Sequence, residues 1–172
     1  MKQWLSYLFV ASTVLLAASL LARAANGEEE SLAPLPQVDN AAWRSECSGC
    51  HMLYHPALLP SRSWQKLMGG LDRHFGENAV LDPATRDEIT RFLVAHAAER
   101  QSDRRSRRLV QSIPPDDAPL RFSRTIYFIT RHDEIPATIY QRKSIGSASN
   151  CTACHRGAEQ GEFSEATARI PR

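Results

Sequence analysis

The chain has 172 residues, a length typical of one domain or of two small ones. Its hydrophobic fraction of 42% and charged fraction of 23% are those of an ordinary globular protein, which excludes a wholly disordered, fibrous or polytopic membrane protein. The formal net charge is +2 and aromatic residues make up 8%, so the composition gives no case for a nucleic-acid-binding protein.

The first 24 residues have the form of a secretory signal peptide. Lys2 provides a positive start, residues 5–21 are apolar or small, and Ala22-Arg23-Ala24 is a small-x-small cleavage site. An uncleaved anchor helix is the alternative, but the apolar stretch is at the short limit for crossing a bilayer. We therefore predict cleavage after about Ala24 and a periplasmic protein in an oxidising compartment.

Residues 25–38 are acidic and then proline-containing without periodicity, which predicts a flexible N-terminal arm. Asp39 or Asn40 can cap a helix that leads into the first pair of cysteines. This helix begins the first of two predicted small domains, residues 39–110.

Two further helices are predicted in the first domain. One begins at Ser61 or Ser63, continues with apolar residues at helical spacing as far as Phe75, and ends at Gly76. The next begins at Asp82-Pro83, because an aspartate cap followed by proline is a typical helix start.

The arginine-rich stretch Arg100–Arg108 is most simply a solvated face or linker, with a docking patch as the alternative. Prolines at 114, 115 and 119 mark a boundary, so residues 111–172 are the second predicted domain. This domain is less regular. Residues 125–129 are β-branched and aromatic, and a short helix is expected at the second pair of cysteines.

All four cysteines follow one pattern, a C-x-x-C pair followed at once by histidine. The two motifs are Cys47-Ser48-Gly49-Cys50-His51 and Cys151-Thr152-Ala153-Cys154-His155. C-x-x-C-H is the attachment signature of c-type haem. Cysteines three residues apart lie on one face of a helical turn, where their thiols can form thioethers with the two vinyl groups of one porphyrin. The sequence therefore predicts two covalently bound haem c groups, with the histidines as proximal iron ligands.

Other uses of four cysteines are less well supported. A zinc site would use two C-x-x-C pairs, but the gap from Cys50 to Cys151 is long and neither histidine would be needed. Two disulfides are possible in an exported chain, and a thioredoxin-like pair would need a βαβ context that the sequence does not show. Two haems would also supply apolar bodies to two small cores, so we expect the apo chain to be poorly folded.

The sixth ligand of each iron decides the function, because a methionine raises the potential and an open site permits catalysis. His74 lies at a predicted helix end, where it can turn toward the first iron. His132 is the only histidine of the second domain besides His155. The simplest assignment gives each haem the histidine of its own domain, His74 for the first and His132 for the second. The crossed arrangement is the alternative. The other candidates have simpler roles in the core or on the proximal side: Met52, Met68, His55 and His96.

The chain resembles the bacterial dihaem cytochrome c family, often called DHC. The resemblance rests on L-L-P with S-W at residues 58–64, H-F-G at residues 74–76 and C-H-R-G-A-E-Q-G from Cys154. It implies a small periplasmic electron-transfer protein with two haem domains. The predicted elements make the fold mainly α: the order of helices in the N-terminal domain resembles class I cytochrome c, and the C-terminal domain is irregular with a short haem-motif helix. The resemblance also implies bis-histidine ligation, with His74 and His132 as distal ligands.

Two imidazoles leave no vacant position on an iron, so we expect an electron carrier with low-potential haems and not an enzyme. The resemblance implies redox partner proteins, namely a monohaem c-type cytochrome and a membrane cytochrome b or quinol-linked donor. We expect a monomer that meets the membrane only beside its donor and binds no nucleic acid. The alternatives are a dihaem peroxidase, a small-ligand reductase or a haem sensor, each with an open iron site.

Overall fold

The computed structural model describes residues 33–172, and the predicted signal peptide lies outside this range. Within it, short α-helices are joined by 3-10 turns and loops, and no β-strand forms. The helices are α1 (Ala41–Cys47), α2 (Ser61–Met68), α3 (Pro83–Ala95), α4 (Arg104–Gln111), α5 (Ile126–Arg131) and α6 (Ala137–Tyr140). The prediction of a mainly α fold is confirmed. None of these helices has the length and apolar character that crossing a bilayer requires.

Helix α1 forms where the sequence predicts it. The Asn40 side chain accepts a hydrogen bond of 2.8 Å from the backbone N–H of Trp43, which satisfies one of the free donors of the first turn. Trp43 is buried, and Cys47 is the last helical residue. The first cysteine motif therefore leaves the C-terminal end of α1.

Helix α2 is shorter than predicted. It begins at Ser61, but the residue before it is Pro60 and no side chain caps it. It ends at Met68 because two glycines follow, and glycine is a poor helix former. A 3-10 turn over Leu71–Arg73 then continues the chain, so the predicted helix to Phe75 is wrong in its last two turns.

Helix α3 begins as predicted, with the Asp82 carboxylate accepting hydrogen bonds from the N–H groups of Ala84 and Thr85. It packs against α1 and α2 and buries Ile89 and Leu93 completely or nearly so. The contacts of these three helices form the largest hydrophobic cluster of the described residues. Its buried members are Trp43, Leu59, Trp64, Met68, Leu71, Ile89, Leu93 and Ala97.

The arginine-rich stretch is helical and not a linker, and four of its five arginines are exposed, as expected of a solvated face. Asp103 caps α4 by accepting a hydrogen bond of 2.9 Å from Ser106 N–H. Arg105 and Leu109 are four residues apart and face inward, with Arg105 only 7% exposed. Its guanidinium donates to the carbonyl oxygen of Ala33. The buried side consists of Arg105, Ser106 and Leu109, so one arginine of this stretch lies in the interior.

The β-branched run before His132 also forms a helix. The Thr125 hydroxyl accepts a hydrogen bond from Phe128 N–H and starts α5. His132 is the C-cap residue directly after α5. The cap overrides the weak helix propensity of the β-branched residues that follow.

The C-terminal end of the predicted flexible arm, residues 25–38, is docked. Leu35 is only 3% exposed, and its N–H donates to the carbonyl oxygen of Gly161 over 3.0 Å. Gly161 has φ of 76°, and a Cβ at this position would lie 2.8 Å from the Leu35 nitrogen. The close approach therefore requires glycine. Residues 25–32 lie outside the described range.

The boundary between residues 39–110 and 111–172 does not separate the hydrophobic cores. Phe122 follows this boundary in sequence, yet it packs against the α1–α3 cluster, against the cluster of Leu35, Ala57 and Leu58, and against the cluster around Leu109. The packing of the described residues therefore does not divide at residue 110, and the division into two haem domains stays a prediction.

Candidate functional site

The first C-x-x-C-H motif opens into a large cavity. Cys47, Cys50, His51 and His74 all line it, and its volume is about 960 Å³. Most of the apolar wall belongs to the α1–α3 cluster, including Trp64. The structure thus brings the four residues predicted for the first haem to one space inside the largest core.

His51 and His74 lie close together in the wall of this cavity. Their ring centroids are 6.1 Å apart and their planes differ by 29°. Two imidazoles on opposite sides of one metal ion have centroids about 6 Å apart, since each metal–nitrogen bond is about 2 Å long. The spacing of this pair therefore fits one metal ion between the rings.

A tight turn directs His74 toward the cavity. Its N–H and carbonyl group exchange hydrogen bonds with Glu77 over 2.8 and 3.1 Å. The turn needs a left-handed backbone at Phe75, with φ of 54°, and at Gly76, with φ of 107°. A positive φ is uncommon for a bulky residue and carries strain. The Arg121 guanidinium lies 3.8 Å from the centroid of the Phe75 ring and stabilises this turn by a cation–π contact.

The second motif is a compact turn. A 3-10 turn spans Cys151–Ala153, and the N–H groups of Cys154 and His155 donate to the carbonyl oxygen of Cys151 over 3.2 and 2.8 Å. The His155 ring lies 6.2 Å from that of His132, centroid to centroid. This separation also fits one metal ion, because two metal–nitrogen bonds of about 2 Å place two ring centroids about 6 Å apart. The structure thus brings together the two histidines predicted for the second haem.

A second cavity, of about 710 Å³, adjoins the first. His132, Phe128 and Tyr140 line it. It shares residues 147–149 and Arg121 with the wall of the first cavity. Within residues 33–172, the lining of this second cavity contains no residue of the second C-x-x-C-H motif. Cys151 of that motif lines the first cavity. The two predicted cofactor sites are therefore neighbours.

Hydrogen bonds leave the Nε2 atoms of two of these histidines available. The Nδ1 atom of His132 lies 2.9 Å from the carbonyl oxygen of Phe128, and that of His51 lies 2.6 Å from the carbonyl oxygen of Met52. A carbonyl oxygen only accepts, so Nδ1 carries the proton and Nε2 has a free lone pair. The buried Nδ1 atom of His155 has no hydrogen-bond partner within residues 33–172.

The site favours neutral imidazoles. Burial lowers the pKa of His74, and the nearby His51 and Arg121 lower it further. Burial also lowers the pKa values of His132 and His155. Only the neutral ring has a lone pair for a metal, so these shifts favour ligation at neutral pH.

The four cysteines are all unpaired thiols. Burial raises the pKa of Cys47 to about 11, with Glu46 adding to the effect, and burial raises the pKa of Cys151 to about 11. Among residues 33–172, no three His, Cys, Asp or Glu side chains gather as a metal-ion site. Cys47, Cys50 and Cys151 line the first cavity, and in each motif the two thiols precede the histidine directly in sequence.

The other candidate ligands have structural partners. His55 is buried, with its Nε2–H donating to the Pro36 carbonyl oxygen and its Nδ1 accepting from Ala57 N–H. The Nδ1 atom of His96 lies 2.9 Å from the carbonyl oxygen of Phe92. Met68 belongs to the α1–α3 cluster.

Sequence reasoning missed two residues of the site. Tyr54 packs its ring 5.1 Å from that of His51 and donates its hydroxyl to the Ser149 carbonyl oxygen over 2.7 Å. Arg121 lines both cavities. The spacing of Tyr54, three residues after His51, was a usable signal, whereas Arg121 is distant from both motifs in sequence.

Comparisons with known proteins agree on one family. The sequence profile of the family described as dihaem cytochrome c matches residues 43–163. A solved diheme cytochrome c from Rhodobacter sphaeroides is 44% identical, with a TM-score of 0.65, over 73% of this chain and 98% of that chain. A solved diheme cytochrome type c from Shewanella baltica OS155 is 37% identical, with a TM-score of 0.62, over 80% of this chain and 95% of that one. No curated protein matches this sequence.

Proposed function

The chain belongs to the dihaem cytochrome c family, and on this premise we propose that it is a periplasmic electron-transfer protein with two bis-histidine irons. Membership of the family means that two haem c groups are bound covalently. The haem supplies reversible one-electron chemistry, and the protein supplies attachment, axial ligands and electrostatics. In this proposal the thioethers form at Cys47 and Cys50 for one group and at Cys151 and Cys154 for the other.

The observation that carries the proposal is the spacing of two histidine pairs. His51 and His74 lie 6.1 Å apart, and His155 and His132 lie 6.2 Å apart, between ring centroids. Both separations are those of two imidazoles on one metal ion. They support the uncrossed assignment, in which each distal histidine serves the motif of its own part of the chain.

Two strong imidazole ligands leave no position for a substrate, which supports an electron carrier over an enzyme. Imidazole also lacks the effect by which an axial methionine raises the potential, so we expect both potentials to be low. The neutral rings that burial favours at His74, His132 and His155 suit this role.

Tyr54 joins the two cofactor sites through protein atoms. Its ring packs on the proximal His51, and its hydroxyl bonds to Ser149, two residues before Cys151. Burial raises the pKa of Tyr54, so the hydroxyl remains a proton donor at neutral pH. In the proposed carrier Tyr54 holds the two motifs at a fixed separation.

The cellular setting of the proposal comes from the sequence. Residues 1–24 have the form of a signal peptide, which supports export to the periplasm. The partners we propose are a monohaem c-type cytochrome and a membrane cytochrome b or quinol-linked donor. The chain itself acts as a monomer that approaches the membrane only to meet its donor.

Carbon monoxide tests the ligation directly. The purified holo-protein is reduced with dithionite, and its absorption spectrum is recorded before and after addition of carbon monoxide. No change is expected, because both irons are six-coordinate with strong ligands. A shift in half or all of the haem absorbance would reveal an open or displaceable site and would refute the bis-histidine carrier.

A further inference from the structure

One aromatic residue controls how the His132 ring is turned. Phe128 lies four residues before His132 on α5, so both side chains are on the same face. Their rings stack with centroids 4.0 Å apart and planes 17° apart. The carbonyl oxygen of Phe128 also accepts the 2.9 Å hydrogen bond from His132 Nδ1. The stack restricts rotation of the imidazole, and the hydrogen bond selects the nitrogen that stays free.

Phe128 is itself held firmly. Its side chain is only 7% exposed, and its N–H donates to the capping hydroxyl of Thr125. The Phe122 ring meets it edge-on, with centroids 5.6 Å apart and planes at 80°. A buried aromatic side chain that is packed on two sides has few alternative rotamers. The fixed Phe128 ring therefore limits the orientations of the His132 ring stacked on it.

The two histidine pairs consequently differ in relative orientation. The planes of His132 and His155 are at 83°, whereas those of His51 and His74 are at 29°. No parallel stack holds His74, because its aromatic neighbour Phe75 meets it at 62° and is 46% exposed.

We propose that Phe128 is a positioning residue that holds His132 across the plane of His155, so that the two irons of this protein have different axial ligand geometries. This inference rests on the bis-histidine ligation proposed above. The π orbital of an axial imidazole would overlap one of two iron d orbitals, dxz or dyz, depending on how the imidazole ring is turned. This overlap would shift the energy of that d orbital relative to the other. Parallel imidazoles separate those orbitals in energy, and crossed imidazoles leave them nearly equal. Low-spin ferric irons of the two kinds therefore give different electron paramagnetic resonance spectra.

The oxidised wild-type holo-protein provides the first measurement. We expect two low-spin ferric signals of equal intensity. One is rhombic, from the iron between His51 and His74, and one is strongly axial with a large low-field g value, from the iron between His132 and His155. Two rhombic signals would overturn the inference while leaving bis-histidine ligation intact. A high-spin signal together with a carbon monoxide response would instead refute the proposed ligation.

The Phe128→Leu variant tests the positioning role. Leucine keeps the backbone hydrogen bond to His132 but removes the stacked ring. We expect both irons to stay low-spin and unresponsive to carbon monoxide, while the strongly axial signal shifts toward the rhombic position. The control is Ile126→Ala on the same helix, a side chain that is 60% exposed and lines neither cavity, and it should leave that signal in place. An unchanged axial signal in Phe128→Leu would overturn the positioning role, and the wild-type spectrum decides the geometry if this variant does not fold.

Discussion

Removing the attachment of the first haem should prevent folding of the part of the chain around it. The perturbation is the double substitution Cys47→Ala with Cys50→Ala, which removes both thiols but makes no other change. The cavity that these thiols line has a volume of about 960 Å³, and its wall is the largest hydrophobic cluster of the described chain. In the proposed holo-protein the first haem would fill this cavity and complete the hydrophobic core around it.

The magnitude follows from the cost of an empty cavity. At about 24 cal/mol per Å³, a fully closed void of 960 Å³ would cost about 23 kcal/mol, which is an upper limit because this cavity is partly open to solvent. The whole free energy of unfolding of a domain is about 5–15 kcal/mol. Collapse of the walls to a third of that volume would still cost about 8 kcal/mol. Helices α1, α2 and α3 therefore lose their packing when the haem is absent.

The assay is far-ultraviolet circular dichroism with urea titration, on protein whose haem content is measured by mass spectrometry. We expect one haem per chain, a large loss of helical signal, and no cooperative unfolding of the first part. The matched variant Cys151→Ala with Cys154→Ala should lose less helix, since helices α1–α3 keep their cofactor. A cysteine-free first motif with wild-type helicity and a cooperative urea transition would refute the reasoning.

Three further outcomes are expected. The His74→Ala and His132→Ala variants should each retain two covalent haems and make one iron high-spin, so that carbon monoxide shifts about half of the haem absorbance; an unchanged spin state in both would remove the distal assignments. Asn40→Ala should lower the free energy of unfolding by about 1 kcal/mol through loss of the α1 cap, as measured by urea denaturation, with Asn40→Ser as the control that keeps an acceptor and adds no charge beside Glu88. Burial holds the pKa of His55 below its ordinary value of 6.5, so the unfolded chain takes up this proton first. The stability that depends on a neutral His55 is therefore complete above pH 6.5 and declines as the pH falls below it. A His55→Gln variant should show a flatter decline of the urea midpoint between pH 7 and about pH 5, and an identical slope in both proteins would contradict this role.

Local signals in the sequence were sufficient where one residue and its close neighbours decide the structure. The caps at Asn40 and Asp82 are examples, because a side-chain oxygen reaches N–H groups only two or three residues away. Prediction was wrong where local signals compete. The apolar spacing after Met68 favours a longer helix, but two glycines end it. In α4 the burial of Arg105 depends on a distant segment, because its guanidinium donates to the carbonyl oxygen of Ala33.

The sequence by itself determined the chemistry of the cofactor, because both C-x-x-C-H motifs are contiguous and each attachment needs only a single turn of chain. Only the tertiary structure decided which histidine meets which. His74 approaches His51 because a left-handed turn at Phe75 reverses the chain, and His132 approaches His155 because Phe128 and α5 carry it there. The angles of 29° and 83° between ring planes also depend on packing across distant segments. Side-chain rotation is set by neighbours in space, and no spacing along the chain encodes it.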